Sequence, residues 1–525
     1  MSEEQGKLLL ISDIEGCAAV DFFSKTPQNV EMCTHEFFES IKAFLKKNTK
    51  NEVAFLGDYF DKGSGVVTTI TSIVNLKKEF EDPDKDRVHI IFGNRDINKF
   101  RLAYELKGLF EIPKAGWTLW SGFYSSYNSY NSYAPTDKIF ERFDTILGNS
   151  MGAGLPQGSL IDPDLITAID GQKIGAYYLS KVFDNSLEPK DFGIADDQID
   201  ESLRTKLDKF ILDCKEFFKM GNIVEYIKEF NTLLSHAGGI SPAIYQYQIP
   251  VPEFTDGNYF QNIENYRKLL QLEGVVNEST TPFDSAIYEH RKLYSDFVTE
   301  FFGEPTNALH KHIMLQAMGL KPDDDDKPFI SFIDSCIHIG SKPCSGHKRD
   351  EQIAFDVLGG KNVAHGHVPH CTTVPLIFKR QNVVFISCDT SNGYRPSKSP
   401  TFLAFVSNNE FGIMVYKPDV GIMVCNPGLG EVPSTYGKDN KSENVYNALL
   451  NVWNADNLPI YENNDIIYDG IRLRTKGALN PRMFEPIVTD VSGGKKRTMK
   501  KRKTKRKNRR NRKTKKKMCR HFNCK

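Results

Sequence analysis

Six loops of the sequence carry carboxylate, amide or imidazole groups directly after short apolar runs. Asp13 and Glu15 follow Lys7–Ile11, Asp58 and Asp61 follow Glu52–Leu56, and Asn94 and Asp96 follow Arg87–Phe92. His236 follows Thr232–Leu234, His365 and His367 follow Lys361–Ala364, and Asp389 follows Asn382–Ser387. Hard oxygen and imidazole donors hold divalent cations, and two cations about 3.5–4 Å apart need one bridging ligand and several that serve one ion each. Singly, each loop reads as a capped turn. In this order they form a candidate dinuclear centre. Asp13 and Glu15, at i and i+2, point the same way if their strand continues. Asp58 then lies on a neighbouring strand, and Asn94, His236 and His367 complete the shell of a second ion. Water shared by two such cations loses a proton near neutral pH and becomes a nucleophile.

The apolar runs that position these loops fit buried strands better than helices, being short and closed by Gly-containing clusters. Helical stretches at Thr34–Lys47 and Gly65–Glu79 separate the first three. Alternating strand and helix predicts an α/β core whose site sits at the strand ends. Two insertions interrupt it. Residues 111–230 open on a Tyr/Ser/Asn-rich stretch and close in an amphipathic helix from about Glu201 to Phe230. Residues 241–328 hold further helical pattern at Tyr259–Leu272 and Phe283–Phe302. Thr401–Val406 and Gly412–Tyr416 predict a hairpin. The expected organisation is a domain over 1–420, a weakly patterned extension over 421–490 and a tail over 491–525.

The ordered set Asp13-x-Glu15, Gly57-Asp58-x-x-Asp61-x-Gly63, Gly93-Asn94-x-Asp96, His236-x-Gly238-Gly239 and Gly366-His367-x-Pro369 resembles the calcineurin-like metallophosphoesterase superfamily. Within it, Ser235–Gly239 and Ile386–Thr390 are most similar to the phosphoprotein phosphatase and diadenosine-tetraphosphatase branch. The resemblance implies a four-layer αββα sandwich and two divalent ions, with manganese first and magnesium, iron or zinc as alternatives. It implies that Asp13 and Glu15 hold one ion, that Asp58 bridges, and that Asn94, His236 and His367 hold the other. A metal-bound hydroxide would then attack a phosphoric ester or anhydride, on a phosphoprotein or a nucleotide. Asp61, Lys62 and Arg95 fall at the catalytic positions, and Lys62, Arg95 and His365 at candidate substrate contacts.

Two positions depart from the family pattern. Glu15 stands where an imidazole is usual, and an oxygen ligand there tilts preference toward manganese or magnesium over zinc. Arg95 stands where the family places a histidine that protonates the leaving group. A guanidinium does not release a proton at physiological pH. Either Arg95 is a phosphate clamp held by Asp61, with a substrate whose leaving group needs no acid, or His365 or His370 replaces the acid. Lys62, where an Arg is usual, supplies charge without the planar two-pronged contact. The rival reading is a degenerate fold that binds phosphate or nucleic acid without turnover.

Composition separates the chain into two electrostatic parts. Of 68 Lys and Arg, 19 fall in residues 495–525, which hold no Asp or Glu; the remainder has 49 basic against 67 acidic residues, a net charge of −18. Lys495–Lys517 has 17 Lys/Arg among 23 residues, which predicts a disordered segment that binds nucleic-acid phosphate with steep salt dependence. A tail of this kind after Gly493-Gly494 is similar to those of large DNA viruses, which would add the virion to the expected compartments. Ten scattered cysteines predict a reducing compartment, cytoplasm or nucleus. No run reaches the roughly 18 apolar residues of a membrane span. The Asp323–Asp326 run lacks the spacing and glycine of a calcium loop, and Cys519, His521 and Cys524 lack zinc-finger spacing.

Overall fold

The computed structural model describes residues 5–14, 34–60, 66–82, 85–93, 96, 117–119, 196–236, parts of 281–299, 320–322, 358–367, 374–390, most of 401–424, and 458 with the strands between 453 and 487. Residues 1–487 form one compact unit. Asp61, Lys62, Asn94, Arg95, Glu15, His370 and the basic tail lie outside the described residues.

The fold is mixed α/β with two sheets. Strands β1 (Leu8–Ile11), β2 (Glu52–Leu56) and β3 (Val88–Ile91) run parallel, and β1 also pairs antiparallel with β11 (Thr401–Ser407). β12 (Glu410–Lys417) closes the predicted hairpin with β11, and β13 (Gly421–Val424) lines its far side. In the nine-stranded second sheet, β6 (Thr232–Ser235), β8 (Asn362–His365) and β10 (Val383–Ser387) form the parallel run, with β5 (Val224–Ile227) and β9 (Leu376–Arg380) antiparallel on either side. β4 (Trp117–Leu119) and β7 (Leu320–Pro322) pair with each other, and β14 (Trp453–Asn454) joins β12. β15 (Ile460–Glu462), β16 (Asp465–Tyr468), β17 (Ile471–Thr475) and β18 (Phe484–Ile487) continue the second sheet beyond β9.

Both parallel runs are apolar and fully buried, and their side chains enter one continuous core. Helices α1 (His35–Lys47) and α2 (Val66–Glu79) pack on β2 and β3 respectively. The third, α3 (Glu201–Met220), lies against α2 and sends Phe217 and Phe218 against Tyr59, Phe60 and Phe92. Tyr59 donates one hydroxyl proton between two carbonyls, Phe55 O and Ile91 O, each 2.8 Å away. It thereby ties β2 to β3 just below their loops.

Three expectations are corrected. The Glu201–Phe230 helix ends at Met220, and Val224–Ile227 is strand β5 of the second sheet. His365 closes strand β8 rather than opening a loop. The strand of Asp13 does not continue, so the same-side placement of residues i and i+2 does not apply there. The N-cap of α3 is Asp200, whose carboxylate accepts from Leu203 N at 2.9 Å. Asp200→Ala is expected to cost about 1 kcal/mol, read as a lower urea midpoint with unchanged slope.

Candidate metal centre at the strand ends

Parallel runs in both sheets deliver six strand ends to one side, where crevices for ligands form in α/β sheets. Asp13 follows β1, Asp58 follows β2, Gly93 and Asp96 follow β3, His236 follows β6, His367 follows β8 and Asp389 follows β10. The backbone there is sharply turned. Asp13, Asp58 and His367 hold φ of 51°, 57° and 66°, a left-handed conformation that costs a non-glycine residue on the order of 1–3 kcal/mol and clusters at functional sites.

Hydrogen bonds lock these turns together. Asp13 N donates to Gly57 O at 3.0 Å, and Gly366 N donates to His236 O at 2.9 Å. Asp13 Oδ2 accepts from His367 N at 3.1 Å and from the Ser12 hydroxyl. Asp96, fully buried, accepts four backbone amides: Asp58 N, Tyr59 N, Phe60 N and Gly93 N, at 2.7–3.3 Å. Burial and the neighbouring Asp58 carboxylate push its pKa up to about 7 against the pull of those amides. Asp96, the last residue of the Gly93-Asn94-x-Asp96 motif, thus holds two ligand loops in shape.

Three side-chain atoms converge inside this frame. Asp58 Oδ1 lies 3.2 Å from His236 Nε2, which lies 3.2 Å from His367 Nδ1. The three atoms lie within 4.8 Å of one another. His236 Nδ1 donates to Leu56 O at 2.7 Å, so in the neutral ring the Nε2 lone pair faces Asp58 and His367. Ligands bound at 2.0–2.2 Å stand about 3.0–3.4 Å apart, so these spacings are the edges of a coordination polyhedron. The donor set of one carboxylate and two imidazoles fits a divalent cation. Burial lowers the basicity of His236, but Asp58 and Asp13 outweigh it and hold the metal-free imidazolium up to about 10. A cation must therefore displace that proton.

The structure brings together Asp13, Asp58, His236 and His367 of the sequence-predicted residues. His365 is buried within β8, 2% exposed, with Nδ1 3.0 Å from Gly366 O. Asp389 is buried at the end of β10.

Gly93 is where the sites of the two sheets touch. A Cβ there would fall on Asp58 Oδ1 and 2.7 Å from His236 Nε2. Gly93→Ala is expected to weaken metal binding about 10–100-fold, the scale of disturbed ligand orientation. Metal content after dialysis against a graded chelator checks it.

A carboxylate and two imidazoles at the tips of parallel strands form a group that could hold a divalent cation. Residues 6–205 match the calcineurin-like phosphoesterase family, a match that supports metal-dependent phosphoester hydrolysis. The chain is similar to a cold-active protein-tyrosine phosphatase of a psychrophilic Shewanella, at 11% identity and TM-score 0.33, over 81% of this chain and 82% of that one. It is also similar to a protein serine/threonine phosphatase from Saccharomyces cerevisiae with similarity to human phosphatase PP5, at 10% identity and TM-score 0.27, over 86% and 81%. No curated protein sequence matches. Among the described residues no helix is long and apolar enough to cross a membrane.

Proposed function

We propose that the chain hydrolyses phosphoric esters or anhydrides with two divalent cations, manganese first, held by Asp13, Glu15, Asp58, Asn94, His236 and His367. The observation that carries this is the convergence of Asp58 Oδ1, His236 Nε2 and His367 Nδ1, with the first imidazole oriented by Leu56 O. Bound cations would supply Lewis acidity toward the phosphoryl oxygens and an activated water. The chain's own residues do the rest. Asp13 and Asp96 fix the loops through backbone amides, and His236 is held in one tautomer. Lys62 and Arg95 bind the phosphoryl group, and Asp61 steadies Arg95.

Arg95 also decides the substrate. Without a general acid, hydrolysis of an alkyl ester is slowed on the order of 10²–10⁴-fold, whereas a good leaving group needs no proton. Substrates are therefore nucleoside polyphosphates or aryl phosphates in preference to phosphoserine peptides. A phosphate-release screen with manganese over nitrophenyl phosphate, dinucleoside polyphosphates, capped RNA and phosphopeptides tests this. Faster release from phosphoserine peptides would overturn it.

The same Arg95 favours a second reading, a phosphate-binding module without turnover, which predicts saturable binding of phosphate and no release from any substrate. For the tail, nucleic acid is the proposed partner: removing Lys495–Lys517 should abolish a salt-sensitive affinity for RNA or DNA of any sequence.

A further inference from the structure

The 3.2 Å ligand spacing recurs at the opposite end of the same strands. His89 on β3 is 3% exposed, and its Nδ1 stands 3.2 Å from Glu225 Oε2 on β5. The approach lacks hydrogen-bond alignment, so this buried nitrogen makes no hydrogen bond. Asp86, just before β3, brings a carboxylate oxygen, and the three ligand atoms lie within 4.8 Å of one another. The other ring nitrogen, Nε2, is 3.0 Å from Glu52 Oε2, a carboxylate 1% exposed. Lys85 neutralises Glu52 from its far oxygen at 2.7 Å. A carboxylate behind one imidazole nitrogen, with the other nitrogen facing further carboxylates, is the arrangement that orients metal-ligating histidines.

We propose that Asp86, His89 and Glu225 form a separate divalent-cation site, of zinc type, that staples the edge of one sheet to the edge of the other. One nitrogen and two oxygens, with a water in the fourth position, suit a tetrahedral borderline cation. The site lies on the order of 15–20 Å from the strand-end centre, since Glu52 opens β2 and Asp58 follows its far end. It falls where β3 and β5 meet: Asn222 N donates to Ile90 O and Phe92 N to Asn222 O, both at 2.8 Å.

Charges around the cluster are compatible with entry of a cation. Lys77 contacts Asp86 Oδ2, and also donates to Val88 O at 2.7 Å, so it keeps a partner if Asp86 turns to a metal. Asp86 is 44% exposed and gives an entry side. Arg291 is the further cation acting on Glu225. In the metal-free protein burial depresses the His89 imidazole, but Glu225 and Glu52 override it and hold it at about 10. That raised value contributes stability below the ordinary imidazole pKa, lost as pH rises through about 10. Glu225, depressed to about 2 against its burial chiefly by His89, contributes above the ordinary glutamate pKa and loses it as pH falls through about 2.

Cobalt(II) titration of the full chain, with and without Asp58→Asn, tests the site by its visible absorption. The expected result is a zinc-displaceable equivalent that persists in Asp58→Asn and weakens at least about 10-fold in Asp86→Asn and in Glu225→Gln. Asp86→Asn alters a half-exposed side chain, and circular dichroism confirms its fold. Absence of that equivalent in Asp58→Asn, or its indifference to both Asp86→Asn and Glu225→Gln, overturns the proposal and leaves His89 as an imidazolium between carboxylates.

Discussion

Asp58→Asn is expected to slow metal-dependent phosphate release by about 10²–10³-fold or more, the scale on which loss of a single preorganised charge-stabilising group acts. The substitution is close to isosteric, and asparagine tolerates the φ of 57° held at position 58 better than any other side chain except glycine. The backbone amide still donates to Asp96 Oδ2 at 2.8 Å. What disappears is charge. His236 Nε2 loses the anion 3.2 Å away, so burial, which lowers its basicity, gains weight against the remaining raising contributions of Asp13 and Leu56 O. The cation loses one of three converging donors. Thermal unfolding of metal-free wild type and variant should differ by less than a few degrees, whereas bound manganese and turnover fall together. Equal metal content and equal rate in the two proteins would show that Asp58 is a turn residue and no ligand.

The strand-end loops were legible in the sequence because each combines a short apolar run with glycine and a metal-donor side chain. The burial of β1, β2, β6 and β8 follows directly from those runs. Other parts were hidden by periodicity. Ile223, Ile227 and Phe230 keep helical spacing among themselves (i, i+4, i+7), and only Gly221, at the C-cap of α3, marks the stop. Alternation in β5 is partial, since Glu225 and Tyr226 are both half-buried. The strands after 453 are short, without the long apolar runs of the core. The His89 cluster was invisible for a different reason. Glu52, His89 and Glu225 each sit singly inside an apolar strand, and nothing along the chain shows that two sheet edges bring them together. Asp96 lay in a recognised motif, but its four amide partners come from residues 58–60 and 93, and folding alone reveals them.

Asp96→Ala is therefore expected to have the largest effect on stability, about 3–5 kcal/mol, as for breaking a buried charged network. Four amides would lose their acceptor in a place closed to water, and an unsatisfied buried donor costs about 1–3 kcal/mol. Relaxation of the loops recovers part of that sum, which holds the net figure below the arithmetic total. Against a total stability of roughly 5–15 kcal/mol, the variant should unfold at markedly lower urea. Asp96→Asn keeps one oxygen for Tyr59 or Gly93 and should fall between the two. The sequence of events also matters. Gly93 N and Asp58 N both donate to Asp96 Oδ2, so the loops should loosen before the sheets do. Amide exchange at Asp58, Tyr59 and Gly93 should then accelerate far more than at Leu9 or Val53 in the core. Uniform acceleration across all five amides would mean that Asp96 supports the whole domain and not the ligand loops in particular.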